Sequence, residues 1–284
     1  MKILVLGASG MLGNTVLRVL SENAELEVFG TARSSSVQRY FPPAISKKII
    51  VGVDVENQDA LTHVFAIVKP QLVINCIGLI KQLSVAEDPL QALPINAMLP
   101  HRLARLCELG GARLVHVSTD CVFAGTKGGY RESDPADAVD LYGRSKYLGE
   151  VAYPHTLTLR TSIIGHELSS AHALLGWFLA QEGQVKGYTR AIFSGLPTVE
   201  LARIVRDVVL PRAELSGLYH VASESIAKYE LLKLIADVYG KKVELVPDDA
   251  LVIDRSLNAD RFKDATGYVP PPWPELVRRM FEFK

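Results

Sequence analysis

The chain of 284 residues carries 31 lysines and arginines against 31 aspartates and glutamates, a formal net charge of zero. That balance leaves no electrostatic footprint for nucleic acid, and the length suffices for one large α/β core with a smaller lobe. Cys76, Cys107 and Cys121 lack Cys-x-x-Cys or Cys/His spacing; this argues against a disulfide framework and a metal site and fits a reducing cytoplasm.

No run approaches about 18 uninterrupted apolar residues, so no membrane span is expected. The apolar start after Lys2 is interrupted by spaced glycines, unlike a signal peptide.

Ile3 to Leu6 reads as a buried strand, and Gly7, Gly10 and Gly13 follow at three-residue spacing before a helix over Met11 to Leu20. Strand, glycine turn and helix in that order suit a dinucleotide pyrophosphate. Gly7 can take a positive φ, Gly10 lets phosphate lie against backbone, Gly13 lets helix and strand approach, and the helix N-terminus faces the anion.

A second strand over Leu26 to Ala32 ends at Arg33 among serines. In a dinucleotide fold this tip lies beside the adenosine ribose, where arginine accepts the 2′-phosphate of NADP; an exposed loop arginine is the alternative. Lys48 to Val53 supplies a third strand followed by Asp54, which is placed for an adenine amino group. Asp59 to Val68 is helical, and Leu72 to Ile77 is a fourth strand running into Gly78.

Asn96 to Glu108 reads as a helix stopped by Gly110 and Gly111, and Arg113 to Ser118 as a fifth strand. This alternation predicts a Rossmann-type, doubly wound parallel sheet covered on both faces. Further on, Leu157 to Ile164 and Gly217 to Val221 read as strands, Val199 to Val209 and Ala227 to Tyr239 as helices. The expected organisation is a dinucleotide-binding domain over 1–165, with 194–223 returning to it, and a substrate lobe over 166–193 and 224–284.

Tyr142 and Lys146, four apart, share one helix face, which would bring an ammonium near a phenol and favour its deprotonated form. A free phenol titrates at about 10. Taken alone the pair reads as a solvated helix face. Ser118-Thr119-Asp120, at the carboxyl end of the fifth strand, stands where ligands gather in such sheets. A hydroxyl there would polarise a substrate carbonyl beside Tyr142.

These stretches together resemble the extended short-chain dehydrogenases/reductases of the dTDP-4-dehydrorhamnose reductase type. The resemblance is carried by residues 7–13, 118–125, 142–146, 159–162 and 195–198, and runs over nearly the whole chain. It implies Thr119, Tyr142 and Lys146 as the catalytic trio, with Asn96 as structural support. It further implies NADPH, with NAD as the alternative, and a nucleotide-linked 4-keto-6-deoxysugar.

The expected dinucleotide contacts are Gly7, Ser9, Gly10, Met11, Leu12, Gly13, Arg33, Asp54, Val55, Cys76, Gly78, Tyr142 and Lys146. The expected sugar-nucleotide contacts are Thr119, Asp120, Cys121, Ile163, Arg255 and Arg261, the two arginines suiting a diphosphate. A cytoplasmic enzyme of polysaccharide biosynthesis, dimeric at the family level, is the picture that results.

Two departures concern the sugar side: Cys121 and Ile163 stand where the family usually has tyrosine and tryptophan. They put rhamnose precursors in question and leave room for a UDP-linked 2-acetamido-4-keto sugar. A sugar-nucleotide epimerase with tightly held NAD and a non-catalytic regulatory subunit are the competing readings. Among the remaining residues, His116 reads as a hydrogen-bonded core histidine, Cys76 and Cys121 as space-filling. Trp177 and Trp273 read as core packing or as covers for the nucleotide base.

Overall fold

A computed structural model describes residues 1–80 and 87–284. The chain begins β1 (Lys2–Leu6), α1 (Met11–Ser21), β2 (Glu27–Ala32), α2 (Pro43–Ser46), β3 (Ile49–Val51), α3 (Gln58–Val68) and β4 (Leu72–Asn75). Then come α4 (Pro89–Ala92), α5 (Leu99–Gly110), β5 (Arg113–Thr119), α6 (Leu141–Leu148), β6 (Thr156–Thr161), β7 (Ile163–Ile164), α7 (Leu174–Ala180), β8 (Gln184–Tyr188), β9 (Ala191–Phe193) and β10 (Leu196–Pro197). The last elements are α8 (Thr198–Arg203), β11 (Gly217–His220), β12 (Ile226–Ala227), α9 (Lys228–Tyr239), β13 (Glu244–Asp248), β14 (Ile253–Asp254), α10 (Asp260–Thr266) and α11 (Trp273–Glu282).

Seven parallel strands form the central sheet in the order β11-β6-β5-β4-β1-β2-β3. Alternation along β1 explains its two covered faces. Ile3 and Val5 enter a core shared with α1, α8, α9 and α11, whereas Leu4 and Leu6 enter a second core shared with α3 and α5. Every one of these four side chains is fully buried, as a parallel sheet with helices on both sides requires. Strand order reverses between β1 and β4, which opens a crevice at their carboxyl ends.

Two helices expected to be regular are not. The segment expected to be helical from Asn96 opens with a π-helical turn, Leu93–Met98, before α5, and Ile204–Val209 is a second π-helical turn after α8. The extra residue in the first turn sends Asn96 inward, 1 % exposed. Beyond the main sheet, β9 is flanked by β12 and β14, and β8 pairs with β13. No helix among the described residues is long and apolar enough to cross a membrane.

Candidate active site

The crevice is built first from missing side chains. Gly7 adopts φ +90°, and a Cβ on Gly13 would overlap the Gly7 carbonyl; hence β1 turns sharply and α1 starts hard against the turn. Gly10 caps α1 without a side-chain hydrogen bond, and no acidic residue lies in the helix's first turn. The exposed amino end therefore suits an anion.

At the tip of β2, Arg33 is exposed, and Ser34 Oγ accepts the Ser36 amide at 3.2 Å to start a short 3₁₀ turn. Past β3, Asp54 is exposed with Oδ1 accepting the Glu56 amide at 3.0 Å, while Val55 is buried. At the end of β4, burial pushes the Cys76 thiol up to about 12, which makes it an inert wall rather than a nucleophile. The surface from Gly7 to Gly78 fits a dinucleotide.

Gly78 leads to the second part of the site. A Cβ there would lie 3.6 Å from Lys146 Nζ and 3.4 Å from Asn96 Oδ1. Lys146 is 5 % exposed, and its ammonium donates to the Val117 carbonyl at 2.9 Å. Burial lowers its pKa to about 8, against the opposing pull of Glu150. Asn96 Oδ1 accepts the Leu79 amide at 2.9 Å and its Nδ2 donates to Ser145 Oγ at 3.2 Å, so the π turn is tied to the back of α6.

Helix α6 starts with Asp140, whose Oδ1 accepts the Gly143 amide at 2.7 Å. A Cβ on Gly143 would overlap the Cys121 carbonyl, and one on Gly149 the Asn96 carbonyl, so α6 is seated at both ends by close backbone contact. This seat brings Tyr142 beside Thr119, whose side chain favours the phenolate against burial. Thr119 Oγ1 accepts the Cys121 amide at 3.1 Å and donates to Asp120 Oδ1 at 3.1 Å.

Here a sequence expectation is corrected. The phenol of Tyr142 is pushed up rather than down, first by burial and then by the Cys121, Asp120 and Asp140 side chains. Lys146, held on the Val117 carbonyl, does not offset that. Below the site, Glu150 accepts both arms of Arg160 at 2.7 and 2.6 Å and Ser118 Oγ at 2.7 Å; the ion pair is 3 % and 10 % exposed. Sequence reasoning missed this pair, whose members sit on different elements.

The wall beside Thr119 and Cys121 is assembled from distant segments. Tyr130 stacks on Phe123 at 4.1 Å, its hydroxyl accepts the amides of Gly125, Thr126 and Lys127, and its backbone bridges to Leu257. That bridge carries Arg255 to the site, where Nε donates to the Phe123 carbonyl at 2.7 Å and Nη1 lies 3.9 Å from Cys121 Sγ. Ile163 sits at the start of β7, packed against the main core.

Arg261 lies elsewhere. Its guanidinium is 4.7 Å above the Tyr219 ring, and it lines a cavity of about 600 Å³ with Arg131, Glu132 and Asp260 that neither Thr119, Tyr142 nor Lys146 enters. Trp273 is core, packed against Phe193 with Nε1 donating to the Glu224 carbonyl at 2.7 Å, while Trp177 is 40 % exposed. His116 is fully buried, with Nδ1 3.1 Å from Asn75 Nδ2 and Nε2 without a partner among the described residues.

The RmlD substrate binding domain family model matches residues 1–282. The chain belongs to this family. The RmlD family lies within the extended short-chain dehydrogenases/reductases, in agreement with the resemblance read from the motifs. One relative of this RmlD protein is a probable low-salt glycan biosynthesis reductase, Agl14, of Haloferax volcanii, 29 % identical over 90 % of this chain and 84 % of the relative. Another is methionine adenosyltransferase 2 subunit beta of Danio rerio, 26 % identical over 84 % of this chain and 74 % of the relative. Among solved structures, dTDP-4-dehydrorhamnose reductase from Bacillus anthracis in complex with NADP superimposes with a TM-score of 0.80 at 22 % identity, covering 100 % of this chain and 98 % of that one.

Proposed function

We propose that the protein reduces the 4-keto group of a nucleotide-linked 6-deoxyhexose with NADPH. The observation that carries this reading is the meeting of the Thr119 hydroxyl and the Tyr142 phenol, with the Lys146 ammonium beside Gly78, next to a glycine turn shaped for a dinucleotide. The nicotinamide, when bound, supplies hydride to the keto carbon. Tyr142 gives the proton to the keto oxygen, and its raised pKa keeps that proton available at neutral pH. Thr119 orients the oxygen, and Lys146 holds positive charge beneath the cofactor's ribose.

Arg33 and its neighbouring serines favour the 2′-phosphate of NADPH over NADH. The lobe of 166–193 and 224–284, which supplies Arg255, takes the sugar nucleotide together with Asp120, Cys121 and Ile163. A cytoplasmic homodimer completes the reading, and sedimentation at micromolar concentration checks the dimer.

The test is a panel of dTDP- and UDP-linked 4-keto sugars assayed with NADPH and NADH. Net NADPH oxidation with alcohol formation supports the proposal; interconversion of epimers without net oxidation points to an epimerase. The Danio rerio relative, named as a subunit of a methionine adenosyltransferase, favours a non-catalytic subunit as the second reading. NADP binding with no turnover of any ketone would decide for it.

A further inference from the structure

We infer that Glu150 is a positioning residue of this site, a clamped counter-charge that keeps the Lys146 ammonium in place beside Gly78. The inference rests on the reductase reading above and adds the group behind the lysine on which that reading depends.

The clamp begins with strand register. Ser118 on β5 stands opposite Arg160 on β6, and Arg160 opposite His220 on β11, so the three side chains form one row across the sheet. Glu150 closes the row from just past the end of α6. Its Oε1 accepts Ser118 Oγ and Arg160 Nε, each at 2.7 Å, and its Oε2 accepts Arg160 Nη2 at 2.6 Å. Arg160 Nη1 donates to His220 Nε2 at 3.3 Å, and His220 Nδ1–H donates to the Tyr130 carbonyl at 3.0 Å. That arrangement needs a neutral ring, and burial lowers the His220 pKa accordingly. The carboxylate is therefore fixed from two strands at once.

The same elements carry the lysine. Lys146 lies four residues before Glu150, and beyond α6 the Gly149 amide still donates to the Ser145 carbonyl and the Glu150 amide to that of Tyr147, which keeps both side chains on one side of the turn. Lys146 Nζ donates to the Val117 carbonyl at 2.9 Å, and the next residue of β5 is Ser118, held by Glu150. One carboxylate thus governs both the strand segment that receives the ammonium and the charge around it.

Three titratable groups face Lys146: Glu150 from the end of α6, Cys76 from the end of β4 and His116 from β5. The Cys76 thiol is pushed up to about 12, and His116 is lowered well below its usual range by burial and by Lys146, so both are uncharged at neutral pH. Of the three, Glu150 supplies the negative charge, and it pulls Lys146 upward against burial.

The test uses the full-length protein and Glu150→Gln, which keeps an oxygen for Ser118 and removes the charge. In ¹³C-lysine-labelled protein without cofactor, with the Lys146 signal identified by its loss in Lys146→Met, the titration midpoint should move down by about one unit. Glu150→Asp should recover part of that shift. With NADPH and a sugar nucleotide that the wild type reduces, kcat of Glu150→Gln should lie within about twofold of wild type at about pH 6 and about tenfold below it at about pH 9, because the lysine loses its charge earlier. A carboxylate of purely architectural importance would instead lower kcat by the same factor at both pH values, and that result would overturn the inference.

Glu150→Gln leaves Arg160 buried without its partner. The double variant Glu150→Gln with Arg160→Met removes both charges, and its Lys146 midpoint should also move down. An unchanged midpoint in either folded variant overturns the inference whichever ketone is reduced. A lowered midpoint supports it even where no ketone is turned over, so this inference and the reductase reading fail separately.

Discussion

The glycine turn after β1 and the wall around Arg255 are built in opposite ways. At the turn, backbone makes the surface: Gly7 has a positive φ, and a side chain at Gly13 would occupy the place of the Gly7 carbonyl. Around Arg255, side chains make it, held by a bridge between Tyr130 and Leu257 and a stack of Tyr130 on Phe123. Backbone recognition tolerates almost no change of residue, whereas the side-chain wall can change while its frame stays, as Cys121 and Ile163 illustrate.

The largest effect is expected where the two regions meet. Tyr142→Phe should lower kcat by about a thousandfold, ~4 kcal/mol, with NADP affinity unchanged by fluorescence titration. Undiminished reduction by this variant would remove the phenol from the mechanism. On the backbone side, Gly13→Val should cost about 3 kcal/mol in chemical denaturation and abolish NADP binding, because the helix must retreat from the turn. A variant that melts and binds like wild type would show that the close approach is dispensable.

On the other side of the comparison, Arg255→Ala should raise KM for the sugar nucleotide about tenfold and leave NADP affinity alone. Loss of NADP binding instead would mean that the two regions are not separable. Arg33→Ala should reduce the preference for NADPH over NADH by about fivefold, read as the ratio of the two kcat/KM values.

The alkaline side of the pH profile sharpens the same boundary. Lys146 is lowered to about 8 by burial, so its positive charge, and with it turnover, should decline as pH rises through that value. The phenol, pushed upward, keeps its proton across that range. For the free protein, the sign for Lys146 is opposite. With the folded pKa about 8 and the unfolded value 10.5, stability rises with pH between them, since the unfolded chain binds the extra proton there. Urea denaturation at about pH 8.5 and about pH 10, both inside that window, compared with Lys146→Met, measures it.

How much of this was legible follows from the same contrast. The strand, glycine turn and helix were readable because only glycine satisfies that geometry, and the parallel sheet followed from the alternation of apolar strands with helices. The nearness of Tyr142 to Thr119 was readable as a motif, but the direction of the phenol's shift was not. Spacing on a helix says which residues are neighbours, not which of them burial isolates. The π turn that aims Asn96 was hidden because an extra residue in the ladder leaves the apolar pattern of a helix nearly unchanged. The approach of Arg255 to Cys121 and the pairing of Glu150 with Arg160 depend on contacts across separate elements, for which local periodicity carries no signal.

The seating of α6 at Gly143 and Gly149 limits how this enzyme can diversify. A helix bolted down at both ends cannot tilt to follow a differently shaped ketone, so a new specificity must come from the opposing wall. Anyone redesigning the protein for another sugar would leave 142–149 untouched and randomise 121, 163 and 255.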